Sequence, residues 1–283
     1  MISAKGSCHP RSLISRQPTM YIPSLAVPLN TTTASLLRIA IQGAQSTGKT
    51  WACTTFPNPV FLDFDNKLGA HRHREDIYPL RFWNDDFCMQ LADQLKIRAK
   101  DGGVLHRTNI LLAFLRTELA KFTPEQTVIL DSMTMVMNSL EAWLDATPVY
   151  GQKGEVDGFD FWKRKGKITK WILEALKNAN CNVIVTFHES KDMNADGIPT
   201  GKMNPLMSGS MKEQLGQHFT DWYRQTAENE LDAQGKPIKD KVRYMWQIKP
   251  DSNCNCSCSI KHLIDSPVRQ VEANYKSLLK PAA

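Results

Sequence analysis

Gly43-Ala44-Gln45-Ser46-Thr47-Gly48-Lys49-Thr50 is the stretch of sequence that decides the fold. It fits the pattern G-x-x-x-x-G-K-[ST] at every fixed position, and it follows an apolar run at residues 36–41 that is typical of a buried strand. The glycines allow a tight turn in which several backbone N–H groups converge on a phosphate, and the following helix would add its positive N-terminal end. We predict a phosphate-binding loop for ATP, in which Lys49 reaches the β and γ phosphates and Thr50 binds Mg²⁺.

The chain downstream of this loop alternates between strand and helix patterns. Apolar runs of strand length lie at residues 60–62, 127–130 and 183–186, and helical apolar spacing lies at 85–98, 108–121 and 161–179. Because strands that alternate with helices build parallel sheets, we predict an α/β fold with a mainly parallel central sheet and helices on both faces.

The chain divides into three predicted parts. Residues 1–35 are rich in Ser, Thr and Pro and predict a flexible leader, with a transit peptide or a true start at Met20 as alternatives. Residues 36–225 form the predicted ATP-binding core. Residues 226–283 complete it with a hairpin, whose strands at 220–228 and 242–249 flank a polar turn at 232–237, and with a short final helix at about 269–279.

Composition restricts the class of protein. Hydrophobic residues make up 42% of the 283 residues, enough for a sizeable core, and the formal charge of +6 is compatible with a nucleic-acid partner without indicating one. The sequence contains no stretch of about 18 apolar residues, so we predict no membrane span. The seven cysteines follow no secretory signal, so we expect reduced thiols and a cytoplasmic protein without a membrane partner.

Acidic and polar residues follow the predicted strands. Asp131 ends the third strand, where we predict that it holds Mg²⁺; a helix cap is the alternative, both roles could hold together, and Ser132 could also be that cap. Asp63 and Asp65 end the second strand, which we expect beside the first. We predict that Asp65 orients and deprotonates the attacking water, with a loop-capping acid as the alternative. His188 follows the fourth strand and would hydrogen-bond the γ-phosphate, unless it is an ordinary surface residue.

Three cysteines near the C-terminus alternate with other residues. Cys254, Cys256 and Cys258 would share one face of a strand, and with His262 they could complete a Cys₃His zinc site. The spacing C-x-C-x-C is unusual for zinc, so small buried side chains or a variable loop are the alternatives.

Together these motifs resemble the RecA-like P-loop ATPases, most closely the phage-type nucleotide-binding or single-strand-annealing recombination ATPases. Residues 43–50 resemble their Walker A motif, 128–132 their Walker B motif and 185–189 their sensor strand, while 206–209 and 219–224 resemble the segment before their C-terminal hairpin. The resemblance implies ATP and Mg²⁺ as cofactors. It implies single-stranded DNA, further copies of the chain and a single-strand-binding protein as partners, and the host cytoplasm as the compartment if a phage encodes the chain.

In such proteins, loops that correspond to residues 147–162 and 190–208 here face DNA. Aromatic and basic residues at the first of these loops and in the helix that follows it suit single strands, because cations neutralise phosphates and aromatic rings stack on bases. We predict a DNA contact by Phe159, Trp162, Lys163, Arg164 and Lys167. The alternative is a solvated helix face with core aromatics.

Three functions are consistent with these patterns. The first is an ATPase of DNA recombination or repair that binds or anneals single strands; the second is a helicase or helicase-loading ATPase. The third is a small-molecule kinase, which would usually have an Arg-rich lid, and Arg72 and Arg74 are only a weak match to one. A GTPase is disfavoured, because residues 66–69 read Asn-Lys-Leu-Gly and lack the acid of N-K-x-D.

Overall fold

The computed structural model describes residues 36–98, 105–150, 157–207 and 211–279. The predicted leader at 1–35 lies outside these ranges, as do parts of both loops predicted to face DNA. Within them the chain forms nine strands and seven α-helices. The strands are β1 (Arg38–Gly43), β2 (Pro59–Asp63), β3 (Tyr78–Leu80), β4 (Thr127–Asp131), β5 (Asn182–Met193), β6 (Pro199–Pro205), β7 (Asp221–Leu231), β8 (Pro237–Gln247) and β9 (Gln270–Glu272). The helices are α1 (Lys49–Cys53), α2 (Asp85–Gln94), α3 (Arg107–Thr117), α4 (Met133–Ala146), α5 (Gly158–Lys177), α6 (Met211–Gln214) and α7 (Lys261–Asp265).

The strands form one sheet in the order β3-β2-β4-β5-β1-β7-β8-β9, and β6 pairs with the outer half of β5. The pairings from β3 to β7 are parallel, and those from β7 to β9 are antiparallel. The expectation that β2 lies beside β1 is wrong. A strand has only two edges, and β5 and β7 occupy both edges of β1, so β2 pairs with β4 instead.

Helices cover both faces of the sheet, which confirms the predicted fold class. On one face, side chains of α2, α3, α4 and α5 pack on the inward residues of β2, β4 and β5. On the other face, α1 packs with residues of β8, α7 and the C-terminal segment, among them Trp246 and Leu263. No helix in the described ranges combines the length and the apolar character needed to cross a membrane.

The C-terminal region confirms the predicted hairpin and corrects the predicted helix. Strands β7 and β8 pair across a turn at residues 232–236. Residues 269–279 form β9 and a short 3₁₀ turn at Tyr275–Leu278 instead of an α-helix, because the free edge of β8 pairs with 270–272. The predicted boundary between residues 225 and 226 falls inside β7, and the described residues from Leu36 onward form one compact unit.

Candidate functional site

The loop between β1 and α1 has the backbone geometry that its glycines predict. Gly48 has φ +79°, a left-handed conformation that other residues adopt only with strain. A Cβ at Gly48 would lie 2.7 Å from the ring of Tyr244, and one at Gly43 would lie 2.6 Å from the carbonyl oxygen of Gln225. Glycine is therefore required at 43 by the close approach of β7, and at 48 both by the left-handed turn and by the ring of Tyr244 on β8.

Lys49 is buried and directed into this loop. Its Nζ donates to the carbonyl oxygens of Gly43 at 2.8 Å and Ala44 at 2.6 Å. Burial lowers the pKa of Lys49, and the carboxylates of Asp131, Glu189 and Asp65 oppose that shift. The amino group thus lies close to the carboxylates that gather at this end of the strands.

Asp131 ends β4 and has a polar partner on each carboxylate oxygen. Thr50 donates to Oδ2 at 2.7 Å, and Thr186 of β5 donates to Oδ1. Burial raises the pKa of Asp131, while the two hydroxyl donors lower it. The helix cap is Ser132, whose Oγ accepts from the N–H of Met135. Asp131 therefore does not cap α4, and its contact with Thr50 is the arrangement that the Mg²⁺ hypothesis requires.

Asp65 and His188 come together although they are distant in sequence. Because β5 lies beside β1, His188 is in register with Gly43. The Nε2 atom of His188 lies 3.3 Å from Oδ2 of Asp65. Its Nδ1 is buried and has no hydrogen-bond partner among the described residues. A buried nitrogen without a partner costs free energy, so this atom is suited to a ligand at the loop.

Asp63, rather than Asp65, is the acid that caps the loop after β2. Its Oδ1 accepts from the backbone N–H groups of Asp65 at 3.1 Å and Asn66 at 2.8 Å, and its Oδ2 accepts from the indole of Trp83 at 3.0 Å. Burial raises the pKa of Asp63 to about 6, against the effect of these donors. The carboxylate of Asp65 is thereby left to face His188.

Two further contacts at this edge follow from tertiary structure alone. Gln225 of β7 donates from Nε2 to the carbonyl oxygen of Thr47 at 2.7 Å. Glu189, which follows His188, forms a two-pronged ion pair with Arg224 at 2.9 and 3.1 Å. Sequence patterns missed Gln225 because it lies 178 residues from Thr47, and an isolated Gln in a strand carries no motif.

The basic side chains near the start of α5 fall into two groups. Phe159 and Trp162 are 78% and 58% exposed, and Lys163 and Lys167 are exposed on the same side of the helix. Arg164 lies on another side, where it donates to the carbonyl oxygen of Thr147 at 2.8 Å. Part of its guanidinium is thus engaged with Thr147, and a contact of Arg164 with DNA stays a prediction. Lys165, also in this basic run, is buried and paired with Glu141.

The zinc hypothesis for the C-terminal cysteines is wrong. Over the residues that the structure describes, no group of three His, Cys, Asp or Glu side chains is placed to hold a metal ion. Cys254 and Cys256 are buried with their sulfur atoms 3.3 Å apart, and Cys258 lies 3.8 Å from the hydroxyl of Tyr223. Cys254 and Cys256 are thus small buried side chains, as in the alternative interpretation.

The carboxyl ends of β1, β4 and β5, together called the nucleotide edge, fit a nucleoside triphosphate with Mg²⁺. Residues 43–50 and Lys49 would hold the phosphates, and Thr50 and Asp131 would hold the metal, which would polarise the terminal phosphate. The orphaned Nδ1 of His188 and the left-handed Gly48 are the features of this chain that support the fit.

A parallel sheet with this loop after β1, an acid at the end of β4 and helices on both faces defines a P-loop nucleoside triphosphatase. A family model described as an AAA domain matches residues 35–252, so the chain belongs to this family of nucleotide-binding ATPase domains. A search of curated proteins found no match to the chain.

Proposed function

We propose that the chain is an ATPase of DNA recombination or repair that binds or anneals single-stranded DNA, as the resemblance to phage-type ATPases implies. The observation that carries this proposal is the α5 surface, defined as Phe159, Trp162, Lys163 and Lys167. Two large aromatic rings are exposed there beside two exposed cations. Exposed aromatic and basic side chains together are the chemistry that binds single strands without reading sequence.

The packing of α5 supports this interpretation over a solvated face with core aromatics. The buried side of the helix is formed by other residues, including Thr169, Ile172 and Leu176, so Phe159 and Trp162 are not core residues. Neither Lys163 nor Lys167 has an ion-pair partner among the described residues. Their ammonium groups are therefore available to phosphates.

The residues at the nucleotide edge would carry out ATP hydrolysis. Asp65 would orient and deprotonate the attacking water, since its carboxylate is free of the loop-capping contacts that Asp63 makes. Lys49 would stabilise charge on the β and γ phosphates, and His188 would contact the γ-phosphate through its unpartnered nitrogen. Copies of the chain and a single-strand-binding protein remain proposed partners.

The first test measures ATP hydrolysis with and without oligo-dT. We expect stimulation by the single strand; an unchanged rate would contradict the DNA-coupled function and favour the kinase alternative. A tailed duplex then separates annealing from unwinding, because ATP-dependent displacement of a strand would favour the helicase alternative.

The second test replaces Lys163 and Lys167 by Ala. We expect weaker oligo-dT binding and a salt dependence that is flatter by roughly 0.7 for each lost phosphate contact. The matched control replaces Lys239 and Lys241, two exposed lysines on β8, which changes net charge equally. Fluorescence anisotropy at several salt concentrations measures both variants. Equal losses of affinity in the two variants would show that only net charge matters, and would contradict a DNA site on the α5 surface.

A further inference from the structure

Gln225 is a fully buried polar side chain whose amide nitrogen and amide oxygen are both hydrogen-bonded. Its Nε2 donates to the carbonyl oxygen of Thr47 at 2.7 Å, and its Oε1 accepts from the indole N–H of Trp246 at 2.9 Å. The indole contact fixes which end of the amide faces the loop, since an indole nitrogen only donates. The donating end of Gln225 is thereby directed to Thr47.

The held carbonyl belongs to the peptide that joins Thr47 to Gly48. In a planar trans peptide the C=O and N–H bonds point in opposite directions. A contact that draws the Thr47 oxygen towards β7 therefore turns the Gly48 N–H away from β7. Gly48 directly precedes Lys49 in the loop, and its N–H is one of the donors expected to converge on phosphate.

We propose that Gln225 is a positioning residue for nucleotide binding, which sets the orientation of the Thr47–Gly48 peptide from the C-terminal hairpin. Tyr244 supports the same peptide from β8, because its ring fills the space at Gly48. The hairpin is thus a part of the phosphate-binding site and not only an extension of the sheet. The inference concerns nucleotide binding alone and is independent of any DNA contact.

The chain contains a matched control. Gln42 is also fully buried, and its Oε1 likewise accepts from a tryptophan, Trp222, at 2.9 Å. Its Nε2 donates instead to the carbonyl oxygen of Met203 at 3.1 Å, away from residues 43–50. The two glutamines therefore make the same kind of buried network, and only that of Gln225 reaches the loop.

The experiment compares Gln225→Met with Gln42→Met, substitutions that keep side-chain length and remove the amide. Both should lower the thermal unfolding temperature, because each leaves a buried indole N–H and a carbonyl without a partner. Only Gln225→Met should weaken Mg²⁺-ATP binding, by about tenfold, measured by titration of a fluorescent ATP analogue below the unfolding temperature of each variant.

A second variant keeps the proposal testable if Gln225→Met does not fold. Trp246→Phe retains the ring and removes the N–H that orients Gln225, so we expect a smaller loss of ATP affinity in the same direction. Trp222→Phe is its control and should leave ATP affinity unchanged. The proposal is overturned if each Gln225-side variant and its control weaken ATP binding equally, or if neither Gln225→Met nor Trp246→Phe weakens it.

Discussion

The nucleotide edge of the sheet and the α5 surface use polar groups in opposite ways. At the nucleotide edge, Lys49 and Asp131 are buried and each has two hydrogen-bond partners. On α5, Lys163 and Lys167 are exposed and have no carboxylate partner among the described residues. Buried polar groups must be satisfied and so acquire fixed geometry, whereas exposed ones are satisfied by water. The first region is organised before ligand arrives, and the second offers charge without fixed positions.

The largest expected effect on ATP affinity is from Lys49→Ala. The substitution removes the ammonium group that is directed into residues 43–50, so ATP affinity should fall by about 100-fold or more, since charge-assisted hydrogen bonds contribute roughly 1.5–3 kcal/mol each. Isothermal titration with Mg²⁺-ATP measures the loss, and circular dichroism serves as the control for folding. Retention of full affinity would show that the loop is not the nucleotide site.

Asp65→Asn should separate catalysis from binding at the same edge. A general base contributes roughly 10²–10⁴-fold to rate, so ATP hydrolysis should fall within that range while ATP affinity stays within about threefold of the wild type. Asp63→Asn is not an equivalent control, because Asp63 holds the loop backbone. A normal hydrolysis rate in Asp65→Asn would assign Asp65 to a purely structural contact with His188.

Asp131→Asn should weaken Mg²⁺-dependent ATP binding. The Mg²⁺ concentration needed for half-saturation should rise about tenfold. The stability of the protein without nucleotide should not fall. Burial raises the pKa of Asp131 because a buried charge is unfavourable, and a neutral amide carries no such charge. Titrations of Mg²⁺ at fixed ATP, with thermal unfolding alongside, measure both quantities. An unaltered Mg²⁺ requirement would contradict the metal role.

The smallest expected effect is from Gly166→Ala on α5. A Cβ there would meet no atom within 4 Å, and alanine is favoured over glycine in a helix interior, so the free energy of unfolding should rise by about 0.5–1 kcal/mol. Affinity for oligo-dT should change by less than about twofold, because no cation is removed. Denaturant unfolding and anisotropy test the pair of outcomes. A marked loss of DNA affinity would mean that the α5 surface has a fixed geometry after all.

Much of the nucleotide edge could be predicted from local sequence. The pattern of residues 43–50, the apolar run before it and the acid at the end of residues 127–131 each depend on spacing within a few residues, and spacing is what a sequence displays directly. The order of motifs along the chain was also sufficient for the fold class. The hairpin followed from two strand patterns around a polar turn.

The sequence by itself thus determined the glycine-rich loop, the acid at the end of β4 and the α/β architecture. Only the tertiary structure placed β4 and β5 between β1 and β2, replaced the expected final helix by β9, and brought Arg164 to the carbonyl oxygen of Thr147. It also brought Gln225 to Thr47 and His188 to Asp65. The reason is physical: strand order and side-chain partners depend on which edges and donors remain free after the whole chain packs, and no local spacing records that competition.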